Sequence, residues 1–368
     1  MAAERPAHRP APRPAVAAID PYVPGLVPPA IPGALKLASN ENPFGPSALA
    51  IEAARASLHD VNRYPEAGAS TLRAKLAARH VVSPEQVLVG SGSDEVLYLL
   101  AGTYLEPGRH AVMAAPPYGI HRISAQYMGA EITLVPLVDG VHDVPAMASA
   151  AVAASTASAD GAPGIVYVAN PHNPTGTAVS AAALETLVDE VPADWLIVVD
   201  EAYHEFMDAS ARCTALDLLG RHPGLVVTRT FSKAYGMAGL RVGYAVASAE
   251  VLEPVSRIRP PFNVSTPSLA AAAAALDDAA YLAQTVRDTL ASRALLEAAC
   301  DRLGLRRMPS QANFVLVEDR DGWPSALEAD AISVRPGANL GMPGWARISL
   351  PRPADVPRVA AILERAVR

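Results

Sequence analysis

The 368-residue sequence contains only two cysteines, Cys213 and Cys300, far apart and without a CxxC spacing. That scarcity excludes a disulfide scaffold or a cysteine-based zinc cluster and suits a reducing cytoplasm. No apolar run reaches the roughly 18 residues a membrane span needs. The longest, Ala270–Leu276, ends at Asp277-Asp278 and reads as a buried helix. A basic stripe is also missing. Thirty Lys and Arg against 37 Asp and Glu leave a net charge of −7, so neither a nucleic-acid duplex nor a membrane surface is expected as a partner. The first 18 residues have no continuous apolar stretch or cleavage site, and their prolines forbid an amphipathic transit helix, so residues 1–18 are expected to be a disordered tail. There is no internal repeat, and no bound metal is expected.

What is present is the composition of a globular protein, 51% hydrophobic and 18% charged, long enough for two domains or one large α/β unit with a smaller companion. Short β-branched runs at 87–89, 110–114, 131–135, 164–169, 195–199 and 225–228 alternate with helical patterns at 70–79, 94–103, 119–127 and 181–190. Buried strands alternating with helices predict a mostly parallel sheet with helices on both faces. The Ala/Ser/Gly/Pro-rich stretch 148–163 reads as a short weak helix and a loop. After the Arg259-Pro260-Pro261-Phe262-Asn263 break come a long helix from 268 to about 302, three further strand candidates and a C-terminal helix. The expected division is an arm with part of a small domain over 19–48, a large domain over 49–260 and a small α+β domain over 261–368.

In open α/β sheets the ligand lies beyond the carboxyl ends of the strands. Four successive strand ends release polar clusters: GSGSDE (90–95), NPHNPTG (170–176), DEAY (200–203) and TFSK (230–233). GSGSDE turns into a helix, where small residues and the N-terminal dipole favour an anion, although Ser-Asp is also an ordinary cap. By composition NPHNPTG is a loop, whose asparagine can also donate to a phenolate-like oxygen. Asp200 follows a wholly apolar strand, so it calls for a cation such as a protonated ring nitrogen, unless it merely caps the next helix. Lys233 at the sheet's ligand edge can act as a Schiff-base amine if burial lowers its pKa, and Arg241 suits a phosphate dianion. Glycines 236, 239 and 243 permit close backbone approach.

With Tyr118 between them, these segments resemble, in order and spacing, the aspartate-aminotransferase superfamily of pyridoxal-phosphate enzymes (fold type I). The resemblance runs from about Asp20 to the C-terminus. DPYVPG (20–25), SNENPFGPS (39–47), NRYPEAG (62–68), QANFVLV (311–317), SVRPG and ARISL are most similar to the histidinol-phosphate aminotransferase branch. The resemblance implies Lys233 as the cofactor-anchoring lysine and Asp200 as the partner of the pyridinium nitrogen. It further implies Tyr203 and Asn173 on the ring's O3′, Tyr118 stacked on the ring, and Ser93, Asp94, Ser232 and Arg241 around its phosphate. Tyr64 would reach the phosphate of a neighbouring subunit in a homodimer. Arg347 and Asn42 would meet the substrate, with Arg335 and Tyr22 near a substrate phosphate. The implied activity is amino transfer from histidinol phosphate to 2-oxoglutarate; an aromatic or specialised-pathway aminotransferase, or another pyridoxal-phosphate reaction, is the alternative. Where the family commonly has asparagine this chain has His172, expected as a solvated loop residue, and His204 is expected on an exposed helix face.

Overall fold

The computed structural model describes residues 10–21, 23–157 and 163–367. The chain opens with α1 (Pro14–Ala17), β1 (Leu35–Leu37), α2 (Ala48–Ser57) and α3 (Ser70–His80). It continues through β2 (Val87–Gly90), α4 (Gly92–Tyr104), β3 (His110–Ala115), α5 (Gly119–Met128), β4 (Glu131–Pro136) and α6 (Val144–Ala157). Next come β5 (Ile165–Ala169), α7 (Ala181–Glu190), β6 (Leu196–Asp200), β7 (Leu225–Thr230), β8 (Gly243–Ala247), α8 (Ala249–Ile258) and α9 (Thr266–Ala275). Last are α10 (Ala279–Arg302), β9 (Phe314–Glu318), α11 (Trp323–Ala329), β10 (Ile332–Pro336), β11 (Trp345–Ser349) and α12 (Val356–Val367).

Seven strands form one sheet in the order β2-β8-β7-β6-β5-β3-β4, in which only β8 runs against the others. Strands β5, β6 and β7 are buried along their whole length, as sequences IVYVA, LIVVD and LVVTRT require when helices cover both faces. Side chains alternate across each strand. Val166, Val168, Ile197 and Val199 meet Met147, Leu184 and Leu187 of α6 and α7, whereas Tyr167, Val198 and Val226 meet Leu97, Leu100 and Leu252 of α4 and α8. A second sheet, β1-β10-β11-β9, carries α10, α11 and α12 over a core that includes Leu296, Trp323, Ile348 and Leu363.

Four expectations change. The sequence TPSLAAAAAALDDAA breaks into α9 and α10 because the Asp278 carboxylate caps a new helix at Tyr281 N. Helix α9 then buries Ala271, Ala272 and Ala275 against Leu72 and Leu76 of α3. Helix α6 begins at Val144 and buries Met147, Ala148 and Ala151, so it is neither short nor weak. Within the expected tail, residues 14–17 form α1, held on α5 where Arg13 Nη2 donates to Tyr127 O (3.2 Å) and its guanidinium lies 4.7 Å from the Tyr127 ring. Finally, Gly243 opens an unforeseen strand, and its close approach is to protein: a Cβ there would lie 2.2 Å from Ser93 N. That contact seats β8 directly under the first turn of α4.

Candidate active site

The strand ends converge as the sequence predicts. Ser93, Asp94, Tyr118, Asn173, Asp200, Tyr203, Ser232, Lys233 and Arg241 all line one cavity of about 320 Å³. Thr230 of the TFSK cluster joins them, as do Ser39 and Glu41, for which the sequence predicts no role. At one end, Ser93 in the first turn of α4 faces Ser232 and Arg241. The Ser232 hydroxyl is held by Thr230 Oγ1 at 2.9 Å, and Arg241 Nη2 reaches Asp94 Oδ2 at 3.3 Å. Tyr118 donates to Asp94 Oδ1 at 3.0 Å. Helix N-terminus, hydroxyls and guanidinium together make an anion cradle.

At the other end lie two adjacent acids with opposite fates. Glu201 is fully buried and bound by Arg229 (2.7 Å), Thr214 Oγ1 (2.8 Å) and Ala215 N (2.7 Å). Asp200, pointing to the cavity side, is 4% exposed, yet no Lys or Arg among the described residues lies within 4.0 Å of it. Its neighbours are the Thr228 hydroxyl at 3.1 Å and His121 Nε2 at 3.5 Å, an atom without a hydrogen bond. A buried carboxylate lacking a cation costs several kcal/mol. A protonated heterocyclic nitrogen entering the cavity would offset that cost, so the residues fit a pyridinium cofactor bearing a phosphate.

Between the two ends, Lys233 Nζ lies 3.4 Å from Ser39 O and 5.8 Å from the Tyr203 ring. Burial, reinforced by nearby Arg347, lowers its pKa to about 8, within reach of the free amine near neutrality. Tyr203 is buried and its phenol is pushed up to about 12 by desolvation, so it stays protonated.

A larger cavity of about 690 Å³ shares Asn173, Tyr203 and Lys233 with the first and reaches Arg335 and Arg347. These two arginines are direct cross-strand partners on β10 and β11. Arg347 donates to Asn173 Oδ1 (2.6 Å) and Ala38 O (2.9 Å), and Arg335 to Val23 O (2.6 Å). Like charges directly opposite are destabilising unless an anion lies between them.

Not every expected residue comes to the cavity. Asn42 ties its own loop, donating to Ala234 O and accepting from Phe44 N. The residue that does face the site is Asn40, which no local feature of the sequence marks out. Tyr22 lies outside the described residues. Tyr64 is 82% exposed, stacked on Phe262 at 4.7 Å, and lines neither cavity of its own chain.

His172 is not solvated: it is 1% exposed, hydrogen-bonded to Pro116 O and Thr175 Oγ1, and edge-on to buried His142. His204, expected on an exposed face, is largely buried beside Glu201, and desolvation lowers it to about 3. Desolvation also lowers His142 to about 4 and His172 well below its ordinary value. The unfolded chain binds protons on these rings below about pH 6.5 while the folded chain does not, so their contribution is complete above 6.5 and lost as pH falls. Between pH 6.5 and 4.5, His142 alone should remove about 2 kcal/mol of unfolding free energy, His172 should add to that loss, and His172→Asn should therefore flatten the pH slope. Urea midpoints across this window test it; equal pH slopes in wild type and variant would refute it.

Among the described residues, no cluster of His, Cys, Asp or Glu is placed to hold a metal ion, and no helix is long and apolar enough to cross a membrane. Residues 32–363 match the family model for class I and II aminotransferases. Histidinol-phosphate aminotransferase 2 of Pseudomonas aeruginosa is 45% identical over 324 residues, 87% of this chain and 86% of that protein. The Symbiobacterium thermophilum histidinol-phosphate aminotransferase is 42% identical, with 90% of each chain covered. The crystal structure of histidinol-phosphate aminotransferase from Sinorhizobium meliloti in complex with pyridoxal-5'-phosphate is similar at a TM-score of 0.83 and 27% identity, covering 96% of this chain and 97% of that one. A Thermus thermophilus aspartate aminotransferase shares the fold at a TM-score of 0.80 and 21% identity, covering 97% and 99%. With matched segments that carry every strand end of the cavity, the chain belongs to the class I and II aminotransferase family.

Proposed function

We propose that the chain is a pyridoxal-phosphate-dependent aminotransferase taking histidinol phosphate as amino donor and 2-oxoglutarate as acceptor. The observation that carries the donor assignment is the pair Arg335 and Arg347, opposed across β10 and β11 and open to the cavity beside Lys233. One guanidinium suits the acceptor's carboxylate and the pair suits a phosphate monoester. When bound, the cofactor supplies a ring that withdraws electrons from the donor's α-carbon. Asp200 holds the ring nitrogen protonated, and Lys233 anchors the cofactor and then moves the proton at that carbon. Tyr203 and Asn173 bond its 3′ oxygen, Tyr118 covers its face, and Ser93, Asp94, Ser232 and Arg241 hold its phosphate. Exposed Tyr64, absent from its own chain's cavity, supports a homodimer in which it completes the partner's phosphate site. Both cysteines are free, which supports a cytoplasmic location.

Arg335→Ala should raise KM for histidinol phosphate by about a hundredfold, the worth of a lost charge-assisted pair. Amino donors lacking a phosphate should change by only a few-fold. Steady-state kinetics over a donor panel with 2-oxoglutarate check this. A uniform loss, or no turnover of histidinol phosphate, would transfer the assignment to an aromatic or specialised donor.

A further inference from the structure

We propose that Asn40, held by Ser349, is a positioning residue that fixes the direction in which Tyr203 donates its phenolic proton. The inference rests on the reading of Tyr203 as a partner of the cofactor's 3′ oxygen and deepens it.

The direction follows from counting protons. The Asn40 N–H donates to Ser349 Oγ at 2.8 Å, so the serine's own proton is left to donate, and it does so to Asn40 Oδ1 at 2.9 Å. With Oδ1 committed as acceptor, the other end of the amide is Nδ2, and it donates to Tyr203 OH at 3.0 Å. Asn40 cannot swing away: it is 1% exposed, sits at φ +53°, and its carbonyl accepts from Asn313 Nδ2 at 3.1 Å.

A second amide points the same way. Asn173 Oδ1 accepts from Arg347 at 2.6 Å, which leaves its Nδ2 to donate to Tyr203 OH at 3.5 Å. A phenol oxygen has one proton and two acceptor positions. Two incoming amide donors occupy the acceptor positions, so the proton points away from both, into the cavity that Tyr203 lines with Lys233. Arg347 and Ser349, two residues apart, share one face of β11. One strand of the second sheet thereby sets the polarity of both amides and, through them, of the phenol.

The test is the absorbance-versus-pH midpoint of the cofactor-loaded protein, with cofactor affinity of the apoprotein as a second readout. A donor on the 3′ oxygen favours its deprotonated form and lowers the midpoint. Asn40→Asp offers Tyr203 an acceptor and turns the phenol round. The midpoint should rise by about one pH unit and apoprotein affinity should fall by about tenfold. Ser349→Ala, which frees the Asn40 amide, should give a smaller rise. Asn40→Leu, which removes the amide without adding an acceptor, should give the smallest. The charge of the carboxylate introduced by Asn40→Asp would by itself also raise the midpoint, so the decisive measurement is the same substitution in a Tyr203→Phe background, where the rise should shrink to the part the charge alone produces. An undiminished rise there, or Asn40 and Ser349 variants that lose thermal stability with an unmoved midpoint, would overturn the proposal. Should Tyr203→Phe itself leave the midpoint unchanged, the reading of Tyr203 fails as well; a shift in Tyr203→Phe without one in Asn40→Asp sinks the Asn40 proposal alone.

Discussion

Lys233→Ala should give a folded, colourless protein whose turnover is lower by at least about four orders of magnitude. Two functions disappear together, covalent anchoring of the cofactor and proton movement at the donor's α-carbon, and positioned acid–base groups alone contribute up to about 10⁴-fold. The fold should survive because the amine's polar contact is a single 3.4 Å approach to Ser39 O, and burial already disfavours its charge. In the wild-type protein, borohydride should fix the cofactor to the peptide carrying Lys233, as peptide mass will show. A yellow Lys233→Ala protein, or label on Lys36 or Lys75, would refute the assignment.

Asp200→Ala should separate stability from activity in the opposite sense to most buried substitutions. Without cofactor the carboxylate is desolvated beside neutral Thr228 and an unbonded His121 nitrogen. Replacing such a group with an apolar one is neutral or stabilising, so the apoprotein should melt at the same temperature or a few degrees higher. Turnover should fall by at least about a hundredfold, because the charge partner of the ring nitrogen is gone while the phosphate cradle remains. Glu201→Ala should do the reverse, stranding Arg229 in the interior at a cost of about 3–5 kcal/mol. Calorimetry of the two apoproteins beside single-turnover kinetics makes the comparison. An Asp200 variant that turns over normally would reduce this residue to a helix cap.

Much of the site is legible in the sequence because parallel strands buried on both faces read as unbroken apolar runs, and the polar residues ending β2, β5, β6 and β7 stand out against them. The linear order Ser93, Asn173, Asp200, Lys233 therefore maps directly onto one cavity. Strand β8 is hidden because its Gly243-Tyr244 start lies inside a glycine-rich segment whose spacing suggests ligand approach. Strand β1, three residues long, exists only through its pairing with β10, roughly 300 positions away. Asn40 escapes notice beside Asn42 for a similar reason. Nothing local distinguishes two asparagines in SNENP, and Ser349, which selects Asn40, lies 309 residues downstream. His172 reads as solvated because a His in a proline-rich turn usually is; here Pro116 O and Thr175 meet its two nitrogens.

The segment around α1 has a bearing on how such a chain diversifies. Residues 18–21 and Val23 line the larger cavity beside Arg335, and Val23 O accepts that arginine's hydrogen bond. Among the described residues, this segment contributes no side chain to the buried clusters of either sheet and leans on α5 through Arg13 and Tyr127. The described part of this wall thus touches the rest of the chain mainly through polar contacts, at Arg13, Tyr127 and Arg335, and not through either sheet's core. Sequence change confined to such a wall reshapes the cavity's entrance without touching the buried apolar clusters of its described residues, a route by which duplicated copies could come to admit new donors.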